Sequence, residues 1–134
     1  MAVVLTVWLI ALTVCDLLLR RLPNVLTLPG AAVILLVAGL HGRGVAALLG
    51  AAALTGIYLV MHLISPSSMG AGDVKLALGL GAVTGAVGVD AWVLAALLAP
   101  MGTACLGLLL RVRALPHGPS MCLATALVLA IWAR

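Results

Sequence analysis

Apolar residues fill this chain in six runs, and the polar residues between them are confined to short breaks. A helix that crosses a bilayer takes about 20 apolar residues, with a range of roughly 17–25, and most of the runs lie near that length. The first covers residues 2–19 and stops at Arg20-Arg21-Leu22-Pro23-Asn24, which joins two charges, a helix-breaking proline and a turn-prone asparagine. The second, residues 25–40, contains Pro29-Gly30, where a kink is expected. A short turn, His41-Gly42-Arg43-Gly44, leads to the third run, residues 45–64. Residues 65–72 are the clearest loop in the chain. The fourth run, residues 74–89, is rich in small residues, and Gly81 and Gly85 have the spacing that lets two helices approach closely. Residues 91–110 form the fifth run, with Pro100 inside it. A basic, proline-containing loop then precedes a short sixth run, residues 121–133. The pattern predicts an all-α polytopic membrane protein: a bundle of about six transmembrane helices in a single transmembrane domain, residues 1–134.

Composition strengthens that picture. Hydrophobic residues make up 66% of the 134 and charged residues 7%, where a soluble domain carries roughly a quarter charged. The first run lacks a basic segment before it and leads directly into further runs, so it reads as a retained helix rather than a cleaved signal. The net charge of +4 does not indicate a nucleic-acid partner: Phe is absent, aromatics are 3%, and stacking platforms have almost nothing to build from. Cys15, Cys105 and Cys122 form no paired motif, so they read as small buried apolar side chains, with no metal site and no disulfide framework.

Against this background the acids stand out. There are three, all Asp. Asp16 lies near the end of the first run, Asp73 closes the Gly70-Ala71-Gly72-Asp73 turn that opens the fourth, and Asp90 separates the fourth from the fifth. An ionisable group within a membrane span costs roughly 2.5–3.5 kcal/mol on insertion scales, which makes it a functional candidate. Arg20, Arg21, Lys75, Arg111 and Arg113 follow runs one, three and five, whereas Arg43 and Arg134 lie on the other side. The excess of positive charge places the first set in the cytoplasm and both termini outside. Asp16 and Asp73 then share the cytoplasmic end and Asp90 lies opposite. Two carboxylates that meet share a proton and titrate as a unit. One acts as base toward a water, the other as acid toward a carbonyl oxygen, and no cofactor is needed. The glycines beside Asp73 permit close backbone approach and strained turn angles.

Each residue also has a structural reading. Asp16 reads as an interfacial acid paired with Arg20 one helical turn on; if the helix ends earlier, Arg20 is only a topology charge. Asp73 suits the N-cap of the fourth helix and Asn24 that of the second. Lys75 suits a snorkelling anchor. His62 and His117 are too far apart to suggest a metal pair, and His41 and Asp90 read as surface residues.

Two stretches tip the balance. Asp16-Leu17-Leu18-Leu19-Arg20-Arg21-Leu22-Pro23-Asn24-Val25-Leu26-Thr27 resembles the first motif of the type IV prepilin peptidases, an Asp followed by basic residues and a hydrophobic-Pro-Asn-x-Leu-Thr segment. Gly70-Ala71-Gly72-Asp73-Val74-Lys75-Leu76 resembles their second, Gly-x-Gly-Asp followed by Val-Lys-Leu. Leu115-Pro116-His117-Gly118-Pro119 is similar to a weaker third element, Pro-Phe-Gly-Pro, with His117 in place of the aromatic. The resemblance covers essentially the whole chain. It implies a membrane aspartyl endopeptidase of the Gly-x-Gly-Asp type, with Asp16 and Asp73 as the catalytic pair and Gly70, Gly72, Lys75, Arg20, Pro23 and Asn24 as supporting motif residues. It further implies a prepilin or pseudopilin substrate, cut behind its basic leader at the cytoplasmic face of a prokaryotic cytoplasmic membrane. Longer members carry a cysteine-bearing cytoplasmic insertion and also methylate the new amino terminus; this chain resembles the short form associated with tight-adherence (Flp-type) pili, which argues against methyltransferase activity. The rival classes are a small non-enzymatic transporter or channel, in which the acids bind a cation or relay protons, and a pilus-assembly subunit without activity. Acids at one membrane edge, with none near a midplane, weigh against the transporter.

Overall fold

In a computed structural model, residues 2–112 and 115–132 are described. They form six α-helices and no strand: α1 Ala2–Leu19, α2 Asn24–Leu40, α3 Gly44–Ile64, α4 Ala71–Val87, α5 Val89–Leu110 and α6 Gly118–Trp132. The six expected runs are therefore six helices, with ends within three residues of those read from the sequence. Arg113, Ala133 and Arg134, used in the sequence reading, lie outside the described residues.

The breaks act for identifiable reasons. Arg20 adopts a left-handed backbone, φ 48°, as its N–H closes the last turn on the Asp16 carbonyl at 2.9 Å. The α1 helix thus ends one residue short of Arg20. Pro23, at φ −67°, is the N-cap of α2, and its carbonyl accepts the backbone N–H groups of Leu26 and Thr27. Gly88, at φ 157°, separates α4 from α5 with a single residue, a conformation that side chains other than glycine rarely adopt. Pro29 and Pro100 both lie inside continuous helices.

α4 is the centre of the bundle. It packs on α2, α3, α5 and α6, while α1 lies mainly on α6 and touches α2 only slightly. The closest pairing, α3 on α4, is made by backbone. A Cβ on Gly85 would lie 2.9 Å from the Gly50 Cα, and one on Gly81 would lie 2.9 Å from the Leu54 Cβ and meet the Gly50 carbonyl. The Gly81/Gly85 spacing does what was expected of it. Leu76 and Leu80 of α4 meet Leu9, Leu12, Leu54, Tyr58 and Met121 in the main core. Trp8 lies over Gly30 and Gly79 and donates its indole N–H to the Leu26 carbonyl at 2.9 Å, linking α1, α2 and α4.

The outer faces are apolar as well. Leu18 and Leu40 are each 77% exposed and Leu108 80%, a distribution suited to a hydrocarbon solvent rather than to water. Two helices, Gly44–Ile64 and Val89–Leu110, are long and apolar enough to cross a membrane; α1, α2 and α6 are apolar but shorter. α4 is the most buried and the richest in small residues. The expected burial of all three cysteines needs correction: Cys122 is buried, Cys15 half-buried and Cys105 exposed. An uncharged thiol is as compatible with an apolar outer face as with a core, so composition does not tell the two apart.

Candidate functional site

The three breaks at one end of the bundle converge on a cleft of about 640 Å³, within the range of small ligand pockets. The α1–α2 turn supplies Arg20, Arg21, Leu22 and Asn24; the α3–α4 loop supplies Gly70, Gly72 and Asp73; the α5–α6 loop supplies His117. Asp16, from the last turn of α1, is 7% exposed and Asp73 is 9%. The two carboxyls lie within electrostatic reach of each other. Acids separated by 57 positions in sequence thus meet in one site, as their shared membrane depth led us to expect.

Asp73 is held by local geometry. Gly70 is the N-cap of α4 and Asp73 its third residue, with the Asp73 N–H donating to the Gly70 carbonyl at 3.1 Å. The Asp73 carboxylate in turn faces the Gly70 N–H. This is the return half of a capping box, and the helix N-terminus favours negative charge there. The N-cap role expected for Asp73 therefore belongs to Gly70. Neither glycine uses a strained backbone: Gly70 has φ −73° and Gly72 is helical. What Gly72 provides is room, since a Cβ there would lie 3.2 Å from the Leu22 Cβ. The preceding loop is tied down by His62, whose Nδ1–H donates to the Met69 carbonyl at 2.7 Å.

Asp16 is held differently. Its nearest backbone donor is the Gly118 N–H at the start of α6, and a Cβ on Gly118 would collide with its carboxyl group. Its Oδ2 is buried, and no donor among the described residues reaches it in hydrogen-bond geometry. Among the described residues no basic side chain is an electrostatic partner of either acid, so the expected Asp16–Arg20 pair does not form. Arg20 has left the helical register and is exposed at the cleft rim.

The other motif residues are structural ties. Lys75 donates through Nζ to the Asn24 Oδ1 at 2.7 Å, bridging α4 to the start of α2. Asn24 is the first residue of α2, not its N-cap, because Pro23 holds that place. Two residues not singled out in the sequence join the site, Tyr58 and Thr103, together with Gly118 of the third motif. His117 lies between Tyr58 Oη, 2.8 Å from Nε2, and Thr103 Oγ1, 2.6 Å from Nδ1, and burial holds its imidazole below the ordinary pKa. The third motif pointed to residue 117, but nothing in sequence pointed to Tyr58 or Thr103. Among the described residues no group of three or more His, Cys, Asp or Glu side chains is placed to hold a metal ion.

A family model for the type IV leader peptidase family matches residues 3–133. The chain belongs to that family. Membership makes it a leader-peptidase-type protease and implies prepilin-type substrates. No curated protein and no solved structure matches the chain.

Proposed function

We propose that this member of the type IV leader peptidase family is an aspartic endopeptidase in which Asp16 and Asp73 activate the attacking water. The observation that carries the reading is the pair itself: two nearly buried acids, electrostatically coupled, at the floor of a cleft whose basic residues stay at its rim. An isolated structural acid would be expected to find a basic partner, and neither of these has one among the described residues. One carboxylate accepts the proton of the water as it attacks the peptide carbonyl. The other, protonated, donates to the carbonyl oxygen, giving a gem-diol; as the C–N bond breaks, the first carboxyl passes the water's proton to the leaving nitrogen and the second takes back a proton from the diol. The substrate class we favour is a prepilin or pseudopilin with a basic leader. The positive side chains described around the rim, Arg20, Arg21 and Lys75, give no general attraction for such a leader, so the acids themselves or the bilayer must hold it.

Our reading of the setting is a multi-pass protein of the cytoplasmic membrane. The exposed leucines of every outer face support it, with α3 and α5 long enough to cross and the shorter helices spanning a locally thinned bilayer. Arg20, Arg21 and Lys75 surround the cleft, so the positive-inside rule favours a cytoplasmic site. The test is incubation of the purified protein with a synthetic peptide that joins a lysine-rich leader to an apolar helix. Leader loss is expected, undiminished by chelators. No cleavage by wild type, or cleavage that stops with chelator and returns with metal, would overturn the proposal.

A further inference from the structure

His117 is the member of the cleft that the acid pair leaves unexplained. It occupies a position between three helices and is fixed by side chains from two of them. Thr103 of α5 donates its single hydroxyl proton to the Ala99 carbonyl, one turn back, at 3.2 Å. Its oxygen then accepts, which assigns the His117 Nδ1 as the donor in the 2.6 Å contact. A neutral imidazole with its proton on Nδ1 presents a lone pair at Nε2, and Tyr58 of α3 donates its O–H to it at 2.8 Å. The two rings are also in contact, with centroids 5.6 Å apart. One tautomer thus satisfies the whole chain from Tyr58 through His117 and Thr103 to the α5 backbone.

The ring is held on both sides while its own backbone begins α6. The His117 carbonyl accepts the Met121 N–H at 3.1 Å, closing the first turn. The next residue, Gly118, is the one pressed against the Asp16 carboxyl. Tyr58, at the other end of the chain, lies within electrostatic reach of Asp73. We propose that His117 is a positioning residue for Asp16: clamped between Tyr58 and Thr103, it fixes the start of α6 so that Gly118 seats the carboxyl facing Asp73. The imidazole touches neither the water nor the substrate in this role. Its effect passes through the 117–118 backbone. Gly118 accounts for the missing side chain at that point, and His117 accounts for why the missing side chain stays in register with Asp16.

The inference rests on the peptidase reading, and one assay separates the two. Purified wild type and variants are compared on the synthetic leader–helix peptide, with kcat and KM measured separately and thermal unfolding followed alongside. His117→Leu fills much of the same space and loses both hydrogen bonds. A displaced carboxyl costs up to about 100-fold, so kcat is expected to fall by about 10–100-fold with KM unchanged. His117→Asn keeps an N–H donor for Thr103 and is expected to recover part of that loss, a rescue that simple space-filling would not give. Thr103→Val should lower kcat alone, yet add nothing in the His117→Leu background, because both break the same clamp. If His117→Leu does not fold, His117→Asn and Thr103→Val carry the test, with a reduced kcat expected in each. Wild-type kcat in these variants, or a raised KM at unchanged kcat, overturns the positioning role while leaving the peptidase reading intact. A wild type that does not cleave overturns both.

Discussion

Asp73 and Asp90 begin as near equivalents. Each follows a glycine N-cap and lies in the first turn of a helix, α4 for one and α5 for the other. Each is therefore stabilised by the same helix-terminal field, worth about 0.3–1 kcal/mol at an exposed site. Their surroundings then diverge. Asp90 lies at the far end of α4, some 25 Å away at about 1.5 Å per residue, and is exposed. Asp73 is buried and faces a second acid. The helix end accounts for Asp90 completely. It does not account for a second carboxylate brought to Asp73 from another helix, with no basic side chain among the described residues paired to either, an arrangement whose electrostatic cost works against folding. An Asp in the first turn behind a glycine cap is thus an ordinary way to start a helix, and what distinguishes the candidate site is Asp16.

The most direct way to break the comparison is to neutralise each acid in turn. Asp16→Asn and Asp73→Asn are each expected to lower kcat by about 1,000-fold or more, since acid–base catalysis contributes roughly 100–10,000-fold, while Asp90→Asn cleaves the leader–helix peptide like wild type. Comparable losses at all three positions would mean that helix-end acids matter here for folding alone. A subtler change leaves both acids in place. Gly118→Ala puts a methyl group into the Asp16 carboxyl, and about a 100-fold loss of kcat is expected from the displacement, with the protein still folded by circular dichroism.

Smaller effects sharpen the contrast further. Asn24→Ala removes the acceptor for Lys75, a hydrogen bond worth about 1 kcal/mol. A lower unfolding midpoint in detergent is expected, with kcat reduced only a few-fold, because the bond joins α2 to α4 beside the cleft without touching either acid. The smallest change is Asp90→Asn itself, read as stability. A loss of no more than about 1 kcal/mol is expected, and it should shrink with added salt as a helix-end charge effect does.

The helices were legible because length and apolarity are local properties. The turn at Arg20–Asn24 and the loop at residues 65–70 carry their own breaking residues, so their positions followed from composition alone. The meeting of Asp16 with Asp73 was legible from charge bias, which set both at one end, although that argument says nothing of distance. Hydrogen-bond partners were less accessible. Asn24 has the residue type of an N-cap, but the proline before it already supplies the extended backbone that a cap requires, leaving the amide free for Lys75. Asp73 likewise is a good cap by type, yet Gly70 starts the helix three residues earlier. Tyr58 and Thr103 sit in apolar helices 45 positions apart, and only the packing of α3 and α5 around residue 117 gives them a common partner.

The seam between α3 and α4 bears on how the site tolerates motion. Where side chains interlock, a helix can shift as rotamers exchange; where bare backbone meets backbone at Gly50, Gly81 and Gly85, there is no such slack. α4 is in effect riveted to α3, and Asp73 at its end is the fixed jaw of the pair. α1 has no comparable seam and rests chiefly on α6. Asp16 is thus the jaw whose place depends on a single contact, Gly118, and on the His117 clamp that keeps that contact in register.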